Sequence, residues 1–265
     1  MLFFYNRFII TLVIIFESGD ILANYVFERY EYKYIITRKQ YFQIKELLAN
    51  KLIEDSYGKT TIQSLYYDTN DYLLIRRSIE RPIYKEKIRL RGYGVVDSES
   101  KVFLEIKKKS EGVVYKRRVR LKEKEAVDFF YNDISLDNGQ IGNEINYFKK
   151  YYGDLKPAML LIYDREALFD LTSDLRITFD SNIRYRDYDL TLDKGFYGES
   201  LIDNDLIIME IKTAFAIPFY LARFLSENQI FKTPFSKYGT AYKKLFKEKK
   251  LWMYLDQSLV VKQQQ

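Results

Sequence analysis

Two residue types are missing outright: the 265-residue chain has no cysteine and no histidine. Without thiols, disulfides and thiolate nucleophiles are excluded, and the redox compartment leaves no trace in the sequence. Without imidazole, His-based acid–base catalysis, phosphohistidine chemistry and nearly all zinc sites are excluded too. Any metal must then be held by carboxylates and carbonyls, which favours Mn2+ or Mg2+. Proline (4) and glycine (11) are scarce, while Tyr (25) and Phe (19) are abundant and 47% of residues are apolar. That profile argues against disorder and suits one strand-rich domain with a substantial core. The net charge of +6 is modest for this length, so its placement matters more than its size.

Residues 1–16 are apolar except for Asn6, Arg7 and Thr11. The uninterrupted run Phe8–Phe16 is too short to span a bilayer, which takes about 20 residues. Three readings stand for it: a dispensable extension, a weak membrane-associating anchor, or a signal segment. The expected division is an apolar extension over 1–25, one folded domain over 26–250 and a tail over 251–265, in a cytoplasmic protein with membrane contact through residues 1–16.

Periodicity predicts a strand at 31–35, then a helix capped by Thr37 and running to about Asn50. A β-branched and aromatic run follows at 61–67, then a short helix over 71–78. Three strands are predicted at 84–93, 101–109 and 113–121, divided by turn signals at Gly92-Tyr93-Gly94 and Ser110-Glu111-Gly112. Helices are expected at 122–131 and 143–152, strands at 158–169, 175–185 and 205–213, and helices at 218–226 and 238–249. The fold class is α+β with mostly antiparallel strands.

Alternate residues of a strand share a face. Lys87, Arg89 and Arg91 therefore form one wholly cationic face, with Ile88 and Leu90 opposite. Glu105, Lys107 and Lys109 share a face, as do Lys116, Arg118 and Arg120, with Arg117 the exception. Tyr163 and Arg165, then Arg176, Thr178 and Asp180, then Glu210 and Lys212 repeat the pattern. A single such face is usually a solvated one. Like charges repeated side by side destabilise a sheet, however. The set makes sense in a barrel with its charges inside, its apolar faces covered by helices, and a polyanion in the lumen. Glu31, Glu105 and Glu210 each stand two residues before a lysine, which suits either plain ion pairs or metal ligands beside phosphate-binding lysines.

At these residues the sequence resembles the VTC domain (polyphosphate polymerase) family of the triphosphate tunnel metalloenzyme superfamily. The matching stretches include Tyr30–Tyr34, Ser64–Thr69, Lys87–Gly94, Phe103–Lys107, Lys116–Arg118, Tyr163–Arg165, Arg176–Asp180, Met209–Lys212 and Phe235–Gly239, in order across residues 28–246. The resemblance implies an eight-stranded antiparallel β-barrel tunnel with a charged lumen and helices packed outside. It also implies transfer of the ATP γ-phosphoryl group to a growing polyphosphate chain with Mn2+ or Mg2+. By matched position, Lys33, Arg89, Arg91, Lys107, Lys116, Arg118, Arg165 and Lys237 would be catalytic through phosphate contacts, and Ser236 would contact phosphate as a binding residue. Lys87, Lys109, Tyr163, Arg176 and Lys212 join Ser236 as substrate-binding candidates. Glu210, with Glu105 and Glu31, would hold the metal. The superfamily's E-x-E-x-K signature is reduced here to Glu31-x-Lys33, because Arg29 occupies the first glutamate position. The regulatory domain and multi-span membrane segment of eukaryotic relatives have no counterpart in the sequence.

The expected partners are ATP and polyphosphate. The rivals are a tunnel triphosphatase and a non-catalytic module binding polyphosphate or inositol phosphates. Nucleic acid is not expected, because the Tyr and Phe residues mostly fall on apolar-face positions rather than on a stacking surface.

Overall fold

The computed structural model describes residues 9–11, 26–28, 30–80, 82–111 and 113–247, the first two segments as backbone. The apolar run 1–16, apart from its strand residues, lies outside the described residues, as do Arg29, Gly112 and the tail 251–265. In chain order the elements are β1 (Ile9–Thr11), β2 (Val26–Glu28), β3 (Tyr30–Thr37), α1 (Arg38–Leu48), β4 (Ile53–Glu54) and β5 (Thr60–Asp68). Then come α2 (Leu73–Ile79), β6 (Tyr84–Tyr93), β7 (Lys101–Ser110), β8 (Val113–Lys122), α3 (Glu123–Tyr131) and α4 (Gly139–Tyr152). The chain continues with β9 (Lys156–Phe169), β10 (Arg176–Arg186), β11 (Glu199–Ser200), β12 (Leu206–Thr213) and α5 (Phe219–Glu227). A last helix, α6, covers 237–247.

Local chemistry sets these boundaries. Thr37 and Gln40 form a reciprocal capping box that starts α1 where β3 ends. Asp68 closes β5 and opens α2, its carboxylate accepting from the Leu74 and Ile75 amides at 2.8 and 3.0 Å. Ser236 caps α6 by accepting from the Gly239 amide at 3.2 Å. The expected turn at Gly92-Tyr93-Gly94 comes later than its composition suggests, because Gly92 and Tyr93 still belong to β6. Gly92 is required there by close approach: a Cβ would stand 2.6 Å from the Val96 side chain. The helix expected at 143–152 starts at Gly139 instead, its first turn hidden in the sequence by two glycines. The two-residue strands β4 and β11 carry no sequence signal.

The sheet runs β2-β1-β8-β7-β6-β5-β9-β10-β12-β3, with β4 beside β9 and β11 beside β10. From β8 to β3 this is the expected set of eight antiparallel strands. The hydrogen-bonded ladder does not close, since no pairing joins β3 to β8 among the described residues. The sheet nonetheless curls fully round. β2 and β3 stand at opposite ends of the strand order, yet one residue separates them in sequence, so Glu28 and Tyr30 are at most about 7 Å apart.

Three apolar clusters follow from strand parity. The outward residues Ile88, Leu90, Leu104, Ile106 and Val119 pack under α3 and α4 through Phe129, Ile145 and Phe148. Ile36, Ile177, Phe179, Ile207 and Ile211 pack under α1 and α5 through Ile44, Leu48 and Leu221. The third cluster corrects the expectation of a lumen charged all round. Inward residues Ile62, Tyr66, Met159, Leu161, Tyr163 and Ile208 meet Tyr238, Ala241 and Leu245 of α6 inside the barrel. One interior wall is thus apolar and covered by α6, while the wall of β6, β7 and β8 keeps its charges. Among the described residues no helix is long and apolar enough to cross a membrane.

Candidate functional site

Antiparallel register stacks the inward cations into rungs. Lys87 pairs with Lys107, and Lys107 with Lys116. The next rung is Arg89–Glu105–Arg118, and the one after is Arg91–Phe103–Arg120. Across the lumen, Glu210 pairs with Lys33 and Lys212 with Glu31.

Glu105 is the counter-ion of the cationic wall. Its carboxylate takes Arg89 at 2.7 Å, Lys116 at 2.6 Å and Arg91 at 3.8 Å. Burial raises its pKa, but Arg89, Arg91 and Lys116 outweigh burial and hold it far below the usual carboxylate range. Arg89 also donates to the Tyr66 hydroxyl at 2.9 Å, and Arg91 to the Tyr163 hydroxyl at 3.4 Å. Burial would raise both phenols, yet the neighbouring cations, Arg89 and Arg91 foremost, lower them. Arg118 lies over the Phe103 ring at 4.8 Å. Tyr163 faces inward as expected, while Tyr66 and Phe103 are exceptions to the expectation that aromatics mostly keep to the apolar face; the three support the guanidinium groups with their rings and hydroxyls.

On the facing wall, Lys33 bridges Glu31 at 3.0 Å and Glu210 at 3.8 Å, while Lys212 bridges Glu210 at 2.7 Å and Glu31 at 4.0 Å. Burial opposes ionisation of Glu31, but Lys107, Lys33 and Lys212 hold its pKa at about 2. Glu210 is likewise lowered, against its burial, by Lys212, Lys33 and Arg165. Lys107 on β7 feels Glu31, Lys33, Glu210 and Lys212 on β3 and β12, so the two walls face each other across one space. Lys107 is exposed to solvent while lying within reach of all these charges, as a water-filled lumen requires.

A third group closes the site from α6. Arg165 forks onto the fully buried Asp180 at 2.6 and 2.7 Å, and Lys237 donates to the same carboxylate at 2.5 Å. Lys237 also sits 4.6 Å from the Tyr163 ring centre. Lys87 donates to the Ser236 hydroxyl at 3.3 Å, and Lys33 to the Phe235 carbonyl at 3.4 Å. Burial, with Lys107, Lys85 and Lys33 nearby, depresses Lys87 to about 7. Burial also takes Lys116 to about 7, Arg89 and Arg91 adding to the effect and Glu105 opposing it.

The lumen therefore gathers Lys33, Lys87, Arg89, Arg91, Lys107, Lys116, Arg118, Tyr163, Arg165, Lys212, Ser236 and Lys237. Lys109, one rung outward, still feels Glu31. Arg176 does not join them, because its guanidinium turns to Asp55 at 2.7 Å. Asp180 and Tyr66 were given no role from sequence. The available signal for Asp180 was a carboxylate on a cationic face with no lysine two residues on.

The three carboxylates proposed for a metal do not gather. Among the described residues no three acidic side chains are placed to hold one ion. Glu105 is saturated by cations on its own wall, whereas Glu31 and Glu210 are neighbours across β3 and β12. Two ionised carboxylates beside a row of cations do fit Mg2+ or Mn2+, which take one or two carboxylates and complete their shell with water or ligand oxygens.

A Hippeastrum protein described as a candidate adenylyl cyclase with a dominant triphosphatase activity is similar at 15% identity, over 81% of this chain and 95% of that one, with a TM-score of 0.48. A candidate adenylate cyclase from Bacillus halodurans is similar at 13% identity, over 78% and 92%, with a TM-score of 0.48. The PH1819 protein of Pyrococcus horikoshii is similar at 15% identity, over 81% and 99%, with a TM-score of 0.39. No curated protein matches the chain. The sequence model of the VTC domain matches residues 28–246, a span that holds all eight long strands and the whole lumen. By that match, the chain belongs to the VTC domain family.

Proposed function

We propose that this protein is a metal-dependent phosphotransferase that moves the γ-phosphoryl group of ATP onto the end of a polyphosphate chain inside the lumen. The observation that carries this reading is the Lys87–Lys107–Lys116 rung beside Arg89, Arg91 and Arg118, facing the Glu31–Glu210 pair. Three lysines side by side repel one another unless an extended polyanion lies against them. Family membership supports the same reading.

The chain's own residues perform positioning and charge neutralisation. Arg89 and Arg91 are pre-oriented by Tyr66, Tyr163 and Glu105, so little ordering remains when phosphate oxygens replace water. Lys237 and Arg165, anchored on Asp180, hold the opposite flank. Glu31 and Glu210 would hold Mn2+ or Mg2+, which supplies further neutralisation of charge on the transferring group. A terminal phosphate oxygen of the chain attacks the γ-phosphorus, the bond from that phosphorus to the β-bridging oxygen breaks, and ADP leaves with the electron pair. The attacking oxygen is already ionised, so the absence of histidine costs this reaction nothing.

Incubation of the protein with ATP and Mn2+ is expected to yield ADP and a ladder of phosphate chains, resolved on a gel. Arg89→Ala should lower the rate by about 100-fold or more. Hydrolysis is the second reading, favoured by the same rung of cations, which would neutralise a triphosphate equally well for attack by water. Release of orthophosphate without chains would establish it and defeat the polymerase reading.

A further inference from the structure

Strand parity that sends Lys87 into the lumen sends Glu86 to the outer face of β6, opposite Lys108 on β7. Glu86 is only 8% exposed. Its two carboxylate oxygens accept from the Tyr84 hydroxyl at 2.6 Å and the Tyr152 hydroxyl at 2.5 Å. Each oxygen keeps a second lone pair. Around it lies a cavity of about 270 Å³ walled by Tyr84, Tyr147, Tyr151 and Tyr152 and rimmed by Arg77 and Lys108. It adjoins a more open recess of about 530 Å³, with which it shares Lys108 and Tyr147. Tyr147 and Tyr151 are largely exposed, stacked at 6.2 Å between centroids, and Tyr151 meets Tyr152 edge-on at 4.9 Å.

The charges narrow the ligand. The side chains of Arg77 and Lys108 make no hydrogen bond or ion pair among the described residues, although a buried carboxylate lies in the same cavity. A simple cation would be repelled by the two free cations, and a simple anion would gain nothing from the rings and be repelled by Glu86. A ligand with a flat ring, a hydrogen-bond donor on that ring and an anionic tail satisfies all three features. Tyrosine faces stack bases, a carboxylate accepts from an exocyclic amine, and free Arg and Lys take phosphate.

We propose that this outer cavity is a second site, for a nucleoside phosphate, with the base among Tyr84, Tyr147 and Tyr151 against Glu86 and the phosphates on Arg77 and Lys108. It stands on geometry outside the lumen and does not depend on which reaction the lumen performs. It shares β6 and β7 with the lumen, back to back with Lys87 and Lys107.

The test is calorimetric titration of the full chain, first with inorganic tripolyphosphate to fill the lumen and then with ADP. The saturated protein is expected to take up one further equivalent of ADP. Tyr151→Ala and Lys108→Ala should each weaken that second event at least tenfold while leaving the tripolyphosphate titration unchanged. No ADP uptake by the saturated protein, or wild-type ADP affinity in both variants, would overturn the proposal. A dimer that dissolves in Tyr151→Ala without any ADP uptake would assign the rings to a second copy instead and equally defeat it. The tripolyphosphate titration reads the lumen separately, so its failure would count against the phosphate tunnel and leave the outer site standing.

Discussion

Lys87 titrates where histidine would, in a chain that has none. Burial and the surrounding lysines hold its folded pKa at about 7, below the usual lysine value of 10.5, so between those limits the unfolded chain holds the extra proton. Ligand-free protein therefore gains stability from this group as pH rises through that window. Ligand binding reverses the sign. A phosphate chain beside the amine raises its pKa, so the benefit is complete below about pH 7 and is lost as pH rises through the bound value. Calorimetry of tripolyphosphate binding at pH 8, in buffers of different ionisation enthalpy, should register proton uptake, reduced in Lys87→Met. Equal heats in all buffers would refute it.

Glu105 and Glu210 resemble each other in sequence, each two residues before a lysine, but differ in surroundings. Glu210→Gln is expected to raise the Mn2+ concentration needed for half-maximal turnover by tenfold or more. Glu105→Gln should leave that concentration unchanged and lower turnover, by releasing Arg89 and Lys116 from their shared anchor. A metal requirement that shifts equally in both variants would contradict the division drawn between them. The sequence holds the parity that points both carboxylates inward. It does not hold which neighbouring strand supplies their partners, and that register decides their roles.

At the scale of elements, α6 is tethered to β10 through one carboxylate. Asp180 is buried and answers two cations, so Asp180→Asn should cost about 3–5 kcal/mol, the usual result of leaving buried charges unpaired. Tripolyphosphate should restore part of the loss by pairing Arg165 and Lys237 itself. Denaturant melts with and without it are the measurement, and a loss no greater than that of an exposed pair would count against the tether. The strands were legible because Ile, Leu and Val alternate with Lys and Arg over about five residues at a time, as at Lys87–Arg91 in β6 and Arg118–Lys122 in β8. Helix α1 was legible from its cap. The interior role of α6 was not, since its apolar face reads the same whether it covers a sheet from outside or fills a barrel from within.

For the whole molecule, the surplus of cations in the lumen is a concentration of like charge that folding must tolerate. Tripolyphosphate at a hundred times its Kd should add about 2.7 kcal/mol to stability. For a chain of this size that corresponds to a Tm rise of about 5–10 °C. The rise should shrink in salt as the Debye length shortens, and a salt-independent shift would mean the ligand sits outside the charged wall. Closure of the barrel could not be read from strand patterns. It depends on how the sheet's two ends meet, and at one of them β1 and β2 lie in a segment for which no strand was predicted.

Between those two ends no ladder pairing closes the wall among the described residues. β8 meets β1 only through the Ile10–Val114 pair, and β3 and β8 do not pair among the described residues. A closed ring admits a long polymer only by its tip, as a needle's eye admits thread. A seam that ladder hydrogen bonds do not close works as a clasp and accepts a strand laid in sideways. Polyphosphate fixed to a support by both ends should then still bind, and failure of such a blocked chain to bind would mean that the seam stays shut in solution.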